Sequence, residues 1–172
     1  AASDVYKRQP DGGWATSNTG VWFIKTVYPD VYNGDYPVVK SEDAKDGAVG
    51  VKLITLDTKG QAGADWGFIK IPAIPKVTSG SLFLGTFETD IQNTLNSTKF
   101  GNPYYSKPIS VQFSYKYTPG AVYYTCPDPV KAEAVTEDPN TTDECSVTAV
   151  IYEVPYWETV DPDDCLLYTS DA

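Results

Sequence analysis

The sequence predicts an all-β domain, an antiparallel two-sheet β-sandwich of jelly-roll type. Short runs in which apolar and polar residues alternate recur along the 172-residue chain, and the strand-favouring residues Tyr and Phe are abundant, with 13 and 6 copies. The 13 Gly and 13 Pro are spread over the whole chain, as turns between short strands require. We expect a single domain at residues 10–164.

The two ends of the chain differ from the middle. Residues 1–9 (AASDVYKRQ) and 165–172 (CLLYTSDA) resemble the translated adaptor-like tails of proteins assembled from metagenomic reads, so we exclude them from the fold. A missing signal peptide or lipidation cysteine therefore carries no information about export. The sequence contains no run of about 18 apolar residues, and we expect no membrane span.

The clearest predicted strand covers residues 111–118. Apolar side chains occupy every second position from Val111 to Tyr117, which is typical of a strand with one face buried in the core. A Pro-Gly turn at residues 119–120 ends this strand. Residues 121–125 are then predicted to return beside it as a hairpin, followed by a long acidic loop.

Four other segments are assigned from their patterns. In residues 48–57 apolar and polar side chains first alternate, and then both faces become apolar, which favours a strand interior to a sandwich. Residues 82–89 form the second strong strand, in which Gly85 indicates a bulge or the close approach of another backbone. Residues 71–75 are too rich in proline for a central strand and indicate an edge. The last predicted strand covers residues 145–154.

A stiff loop at residues 100–108 precedes the clearest strand. Its prolines fix φ, so Tyr104, Tyr105 and Lys107 would be presented to a ligand at little entropic cost. Aromatic faces beside one cation suit a sugar. The alternative is that both tyrosines cap the core and Lys107 is simply solvated.

Two other places carry candidate sugar-binding aromatic residues. Trp14 and Trp22 lie eight residues apart in the sequence and would form a stacking platform, unless one or both pack in the core. The Gly-rich loop at residues 57–67 carries Asp65 and Trp66, an acid beside an indole. That loop matches no phosphate-binding pattern.

Charge and composition exclude several classes of function. The 23 acidic against 13 basic residues give a net charge of −10, which repels nucleic acid and anionic lipid. The chain has no histidine, which excludes Ser-His-Asp and Cys-His catalysis and most zinc or iron sites. Only carboxylate chemistry is left for an enzyme.

The candidate catalytic carboxylates are Glu88 and Asp90. If their strand continues, they share one face about 6.5 to 7 Å apart. This is the lower edge of the spacing in inverting glycosidases. The alternative to a catalytic pair is that both side chains are solvated at the end of the strand, and we expect no catalysis. We also expect one short helical turn after Asp90.

A calcium site is a weak hypothesis, and no other cofactor is expected. No calcium-loop motif is present, so solvation is the simpler interpretation of the acidic residues. The residues concerned are Asp128, Asp138, Asp143 and Glu144.

Once the C-terminal tail is excluded, two cysteines are left, Cys126 and Cys145. Each is placed next to a predicted strand end. A disulfide and two buried free thiols are both compatible with the sequence.

Five segments together resemble one known family, the putative carbohydrate metabolism domain (PCMD) family of Bacteroidota surface proteins. The resemblance extends over about residues 12–155. The segments are residues 14–18 (WATSN), 79–87 (SGSLFLGTF), 100–108 (FGNPYYSKP), 115–120 (YKYTPG) and 143–152 (DECSVTAVIY).

The chain departs from the family at two positions. Lys107 stands where Arg is more usual, and Ser79 where a small apolar residue is. Lys cannot reproduce a bidentate contact, if the family makes one there.

The resemblance implies a sandwich that normally continues beyond the last strand, so we expect this chain to lack closing strands. It also implies a glycan-binding or glycan-processing accessory domain at a bacterial cell surface or in the periplasm. Tyr104 or Tyr105 would stack on a sugar, with Lys107 donating and Trp14 and Asn18 nearby.

The alternatives to that function are a structural or adhesion sandwich with no ligand, and a carboxylate-dependent glycoside hydrolase. A row of exposed rings on one surface would favour binding, because a structural sandwich would bury its aromatic residues.

Overall fold

The computed structural model has the all-β class that the sequence predicts, with antiparallel ladders and one short helix. The predicted tails, and the helical turn after Asp90, lie outside the described residues. The structure describes residues 13–65, 67–68, 70–88, 97–102, 106–107, 109–128, 131, 133–145, 147 and 149.

The described residues form eleven short strands and one helix. In chain order these are β1 (Trp14–Thr16), α1 (Asn18–Val27), β2 (Val38–Ser41), β3 (Gly50–Leu53), β4 (Leu56–Asp57), β5 (Ala64–Asp65), β6 (Lys70–Ile71), β7 (Val77–Thr78), β8 (Leu82–Phe87), β9 (Thr98–Phe100), β10 (Tyr123–Thr125) and β11 (Thr136–Asp138).

The largest ladder has the strand order β1-β8-β9, with β8 in the centre. Gly85 of β8 lies opposite Phe100 of β9 and has a φ of 140°. A Cβ at Gly85 would overlap the backbone carbonyl of Lys99. The close backbone approach that the sequence predicts at Gly85 is therefore confirmed, and it lets the rings of Phe83 and Phe100 meet edge to face at 5.0 Å.

The other ladders are two-stranded and antiparallel: β2 with β3, β4 with β7, β5 with β6, and β10 with β11. Lys76 links two of them, because its Nζ lies 2.7 Å from Asp57 Oδ2 of β4 and 5.9 Å from the ring centre of Tyr124 in β10. The packing of these ladders into two facing sheets stays a prediction.

Helix α1 was not expected from the sequence. Its residues include several β-branched and aromatic ones that favour strands. Tertiary packing decides its structure, because Val21 and Ile24, three residues apart, share one face and are buried. They form the core cluster together with Tyr32 and Ile74.

Asn18 attaches the first turn of α1 to β2. The side chain is buried, its Nδ2 donates to the carbonyl of Val38 at 2.7 Å, and the Val38 N–H donates to Asn18 Oδ1 at 3.0 Å. A side-chain amide thus makes both backbone hydrogen bonds that a neighbouring strand residue would make. This contact fixes the helix against the strand.

The predicted strand at residues 111–118 is wrong. Residues 111–120 belong to no strand and are exposed along their whole length. The predicted hairpin with residues 121–125 is wrong as well, since β10 pairs instead with β11, from within the predicted acidic loop. Alternation defines two faces, but a strand also needs a ladder partner, which the pattern does not name.

Two further strand predictions need correction. Residues 48–57 divide into β3 and β4, and Val51 and Leu53 of β3 are exposed, which does not fit a sandwich interior. For the strand predicted at residues 145–154, the described positions Cys145, Val147 and Ala149 lie outside any strand. No helix in the described part of the chain is long and apolar enough to cross a membrane.

Candidate functional site

Three exposed aromatic side chains stand at alternate positions of the segment that follows the loop at residues 100–108. Phe113, Tyr115 and Tyr117 are 55%, 65% and 39% exposed. The ring centres of Phe113 and Tyr115 are 6.0 Å apart, with the planes tilted by 41°. We call these three side chains the aromatic row.

Two polar contacts hold the segment that carries the aromatic row. Lys116 Nζ lies 2.8 and 2.7 Å from the two carboxylate oxygens of Asp43, in the loop after β2. The Tyr117 hydroxyl donates to the carboxylate of Asp143. Partial burial and this contact with Asp143 raise the pKa of Tyr117 to about 12. The segment is therefore attached to the domain at the C-terminal end of the row, through Lys116 and Tyr117.

The alternating pattern is visible in the sequence, but the ring-bearing face was expected to pack in the core. The available signal was the kind of residue on that face, since a tyrosine has an apolar ring and a polar tip that tolerates water. A face with two tyrosines is therefore compatible with exposure to solvent.

A second exposed apolar surface lies on the three-stranded sheet. Trp14 of β1 is directly opposite Leu84 of β8, and both side chains are exposed. Next to them, Asn102 Nδ2 donates to the carbonyl of Gly13 at 3.3 Å. The loop that begins at Phe100 thus starts beside the strand of Trp14.

The comparisons with known proteins identify the family. The family model described as "Putative carbohydrate metabolism domain" (PCMD) matches residues 1–170. The chain belongs to the PCMD family. This range is wider than residues 12–155, over which the resemblance was recognised. Neither the curated proteins nor the solved structures that were compared gave a match.

Of the other predicted ligand-binding residues of this PCMD domain, Asn18 and Lys107 lie in the described part of the structure. Asn18 is buried and its amide is bonded to the backbone of Val38, so it supports the fold. Lys107 is exposed. Trp66, Tyr104 and Tyr105 lie outside the described residues, and their roles stay predictions.

Of the two candidate catalytic carboxylates, Glu88 lies at the end of β8 and Asp90 lies outside the described residues. The Glu88 side chain is exposed, and its Oε2 is 3.0 Å from Lys99 Nζ of β9. An exposed ion pair of this kind contributes little to stability. Catalysis by the pair Glu88 and Asp90 stays a prediction.

Cys126 and Cys145 are free thiols and exposed. The Sγ of Cys126 donates to the carbonyl of Asp128 at 3.3 Å instead of bonding to Cys145. Of the two alternatives, the structure has free thiols and no disulfide between these residues, and the thiols are exposed, not buried.

The acidic residues considered for calcium have other contacts. Asp138 accepts from Thr141 Oγ1 at 2.6 Å and from the N–H of Asn140 at 2.9 Å, and these bonds lower its pKa. Asp143 accepts from Tyr117. Within the described ranges, no group of three or more Cys, Asp or Glu side chains is arranged to hold a metal ion.

Proposed function

We propose that this PCMD domain binds a neutral oligosaccharide on the aromatic row, as a glycan-binding accessory domain of a bacterial cell-surface protein. The observation that supports the proposal is the row itself, with Phe113, Tyr115 and Tyr117 exposed on one extended segment. The location at the cell surface comes from the family resemblance alone.

The physical argument begins with the rings. The faces of a pyranose carry C–H groups, and a flat aromatic ring buries such a face while the sugar hydroxyls stay in water. Tyrosine loses little side-chain entropy when it binds, because it has two χ angles. Two attachment points, at Asp43 and Asp143, limit the entropy that the segment itself would lose.

The length of the row indicates the size of the ligand. The ring centres of Phe113 and Tyr115 are 6.0 Å apart, close to the repeat of about 6.6 to 6.8 Å on one side of an extended chain, and at that repeat three rings would extend over about 13 Å. A surface of that length fits an oligosaccharide better than a single sugar. The net charge of −10 would repel a polyanionic glycan, which favours a neutral one.

The alternative is that the exposed rings contact another protein, as in a structural or adhesion domain. A large exposed apolar surface is typical of protein interfaces as well as of ligand sites. The row consists of aromatic side chains alone, and this favours a sugar as its ligand. Ile109 and Val111, the aliphatic residues of the same segment, lie before the row and do not interrupt it.

The test is affinity electrophoresis of the purified domain in gels that contain neutral polysaccharides, one per gel, followed by calorimetry with fragments of any polysaccharide that retards it. Tyr115→Ala should weaken binding about fivefold or more, because an aromatic anchor contributes on the order of 1 to 3 kcal/mol.

Val111→Ala is the matched control, since Val111 is 58% exposed on the same segment and carries no ring. It should change affinity less than twofold, and both variants should keep the melting temperature of the parent. Equal losses for the two variants would contradict a role for the rings. If no polysaccharide retards the domain, and if the domain forms dimers that Tyr115→Ala dissociates, the results would support the protein-interface alternative.

A further inference from the structure

A cavity of about 120 Å³ lies at the end of the β10–β11 ladder, where the two strands separate. The last pair of this ladder is Tyr123 opposite Asp138. Residues 121–123 form one wall of the cavity, and Glu137, Asp138, Pro139 and Thr141 form the other. The aromatic row contributes none of these residues.

The volume of the cavity limits what it can hold. A cavity of about 150 Å³ is known to accept a benzene ring. The cavity beside β10 is slightly smaller, so it has room for one sugar ring or part of one, and not for two.

The ring of Tyr123 gives the cavity an aromatic surface. Tyr123 is half-buried, and Ala121 and Pro139 add apolar surface beside it. Successive side chains of a strand point to opposite faces, so Tyr124, the next residue, leaves the cavity and lies near Lys76 Nζ instead. A ring face beside a few polar groups is the composition of a sugar site.

The polar side of the cavity is held in place by Asp138. Its Oδ2 accepts from Thr141 Oγ1 at 2.6 Å and its Oδ1 accepts from the N–H of Asn140 at 2.9 Å. An ionised carboxylate has about four acceptor positions, so Asp138 keeps acceptor capacity for a ligand. Because the carboxylate is fixed before any ligand arrives, little entropy is lost when it binds one.

The polar side chains of this wall select a ligand that donates hydrogen bonds. Glu137 and Asp138 accept only, and Thr141 already donates its hydroxyl proton to Asp138. Among the described residues of the two walls there is no Lys or Arg. A sugar hydroxyl can donate to such a wall, whereas the carboxylate of a uronic acid would be repelled by it.

We propose that this cavity binds one neutral sugar residue, which stacks on the ring of Tyr123 and donates a hydroxyl hydrogen bond to Asp138. The class of ligand rests on the proposed function, whereas the site is separate from the aromatic row. Ala121 is four positions after Tyr117, and four residues extend over at most about 14 Å. An oligosaccharide that extends beyond the row can therefore reach the cavity.

The test is an NMR titration of the ¹⁵N-labelled domain with the methyl glycosides of glucose, galactose, mannose and xylose. Concentrations up to about 100 mM would detect even a weak interaction. At least one of these glycosides should shift the amide signals of residues 121–123, 140 and 141. The methyl glycoside of glucuronic acid is the control ligand, since it differs from the glucose derivative only in its carboxylate, and it should bind at least about fivefold more weakly.

Two substitutions test the contacts in the cavity. Tyr123→Leu removes the ring face and Asp138→Asn removes the negative charge, and each should weaken binding of the neutral glycoside about fivefold or more. Tyr124→Leu is the matched control, because it removes a ring from the next position on the other face of β10. It should change the affinity less than twofold.

The unmodified domain already provides a decisive result, which does not depend on how any variant folds. If none of the four neutral glycosides shifts these amide signals, the proposal is overturned. Equal losses in Tyr123→Leu and Tyr124→Leu would also overturn it.

The outcome for the cavity can be distinguished from that for the aromatic row. If Tyr115→Ala weakens polysaccharide binding but no glycoside shifts the cavity signals, the cavity proposal fails and the proposed function stands. If a glycoside shifts the cavity signals and Tyr115→Ala changes nothing, the cavity proposal is supported and the role of the row is contradicted.

Discussion

Helix α1 and the segment at residues 111–117 carry apolar residues at equally regular spacing, yet the first is buried and the second is exposed. Val21 in α1 is 1% exposed, whereas Val111 is 58% exposed. The comparison shows that periodicity defines a face, and that only a covering partner makes the face a core. For α1 this partner is the cluster with Tyr32 and Ile74.

The two regions also differ in how they are attached. Asn18 joins α1 to β2 with two buried hydrogen bonds to one residue. Lys116 and Tyr117 attach the exposed segment through side-chain contacts with Asp43 and Asp143, at the surface. Buried hydrogen bonds are expensive to remove, while exposed ion pairs contribute little.

The largest effect is expected for Asn18→Ala. It leaves the N–H and the carbonyl of Val38 buried without their partners, each of which costs about 1 to 3 kcal/mol. We expect a loss of about 2 to 4 kcal/mol in the free energy of unfolding, measured by chemical denaturation.

Asn102→Ala is the control for Asn18→Ala, because Asn102 makes one exposed bond to the carbonyl of Gly13. Its effect should be about 1 kcal/mol or less. Similar losses for the two variants would show that burial of the Asn18 amide is not what stabilises the contact between α1 and β2.

The next prediction compares the same Val→Ala substitution in the two regions. Val21→Ala removes two buried methyl groups and leaves a cavity, so it should cost about 2 kcal/mol of unfolding free energy. Val111→Ala, at an exposed position, should change it by less than about 0.5 kcal/mol. Equal losses in denaturation experiments would mean that residues 111–117 are covered in solution.

The smallest effect concerns Tyr117. Its raised pKa, about 12 against an ordinary 10, means that the folded state favours the neutral hydroxyl. The stabilisation from this contact should be complete below pH 10 and be lost as the pH rises toward 12.

The difference in tyrosinate absorbance between the parent and Tyr117→Phe isolates this group among the 13 tyrosines. Asp143→Asn removes the negative charge beside Tyr117. The titration midpoint of Tyr117 in this variant should therefore move down toward 10. An unchanged midpoint in Asp143→Asn would argue against the contact between Tyr117 and Asp143.

No residue of the aromatic row was predicted as a site residue. The alternation of Phe113 and Tyr115 was visible in the sequence, but their exposure was not, because exposure depends on what packs against the segment. Asn18 was expected near a ligand, and in the structure its side-chain amide is bonded to the backbone of Val38. A side chain's partner twenty residues away cannot be derived from its immediate neighbours.

The sequence alone determined the all-β class, the strand at β8 and the need for glycine at position 85, because alternation, turn residues and backbone sterics act locally. It also excluded histidine chemistry. The tertiary structure decided that residues 18–27 form a helix, that β10 pairs with β11, and that the aromatic row faces solvent. These features depend on partners far away in the chain, and the free energy of packing against them outweighs local propensity.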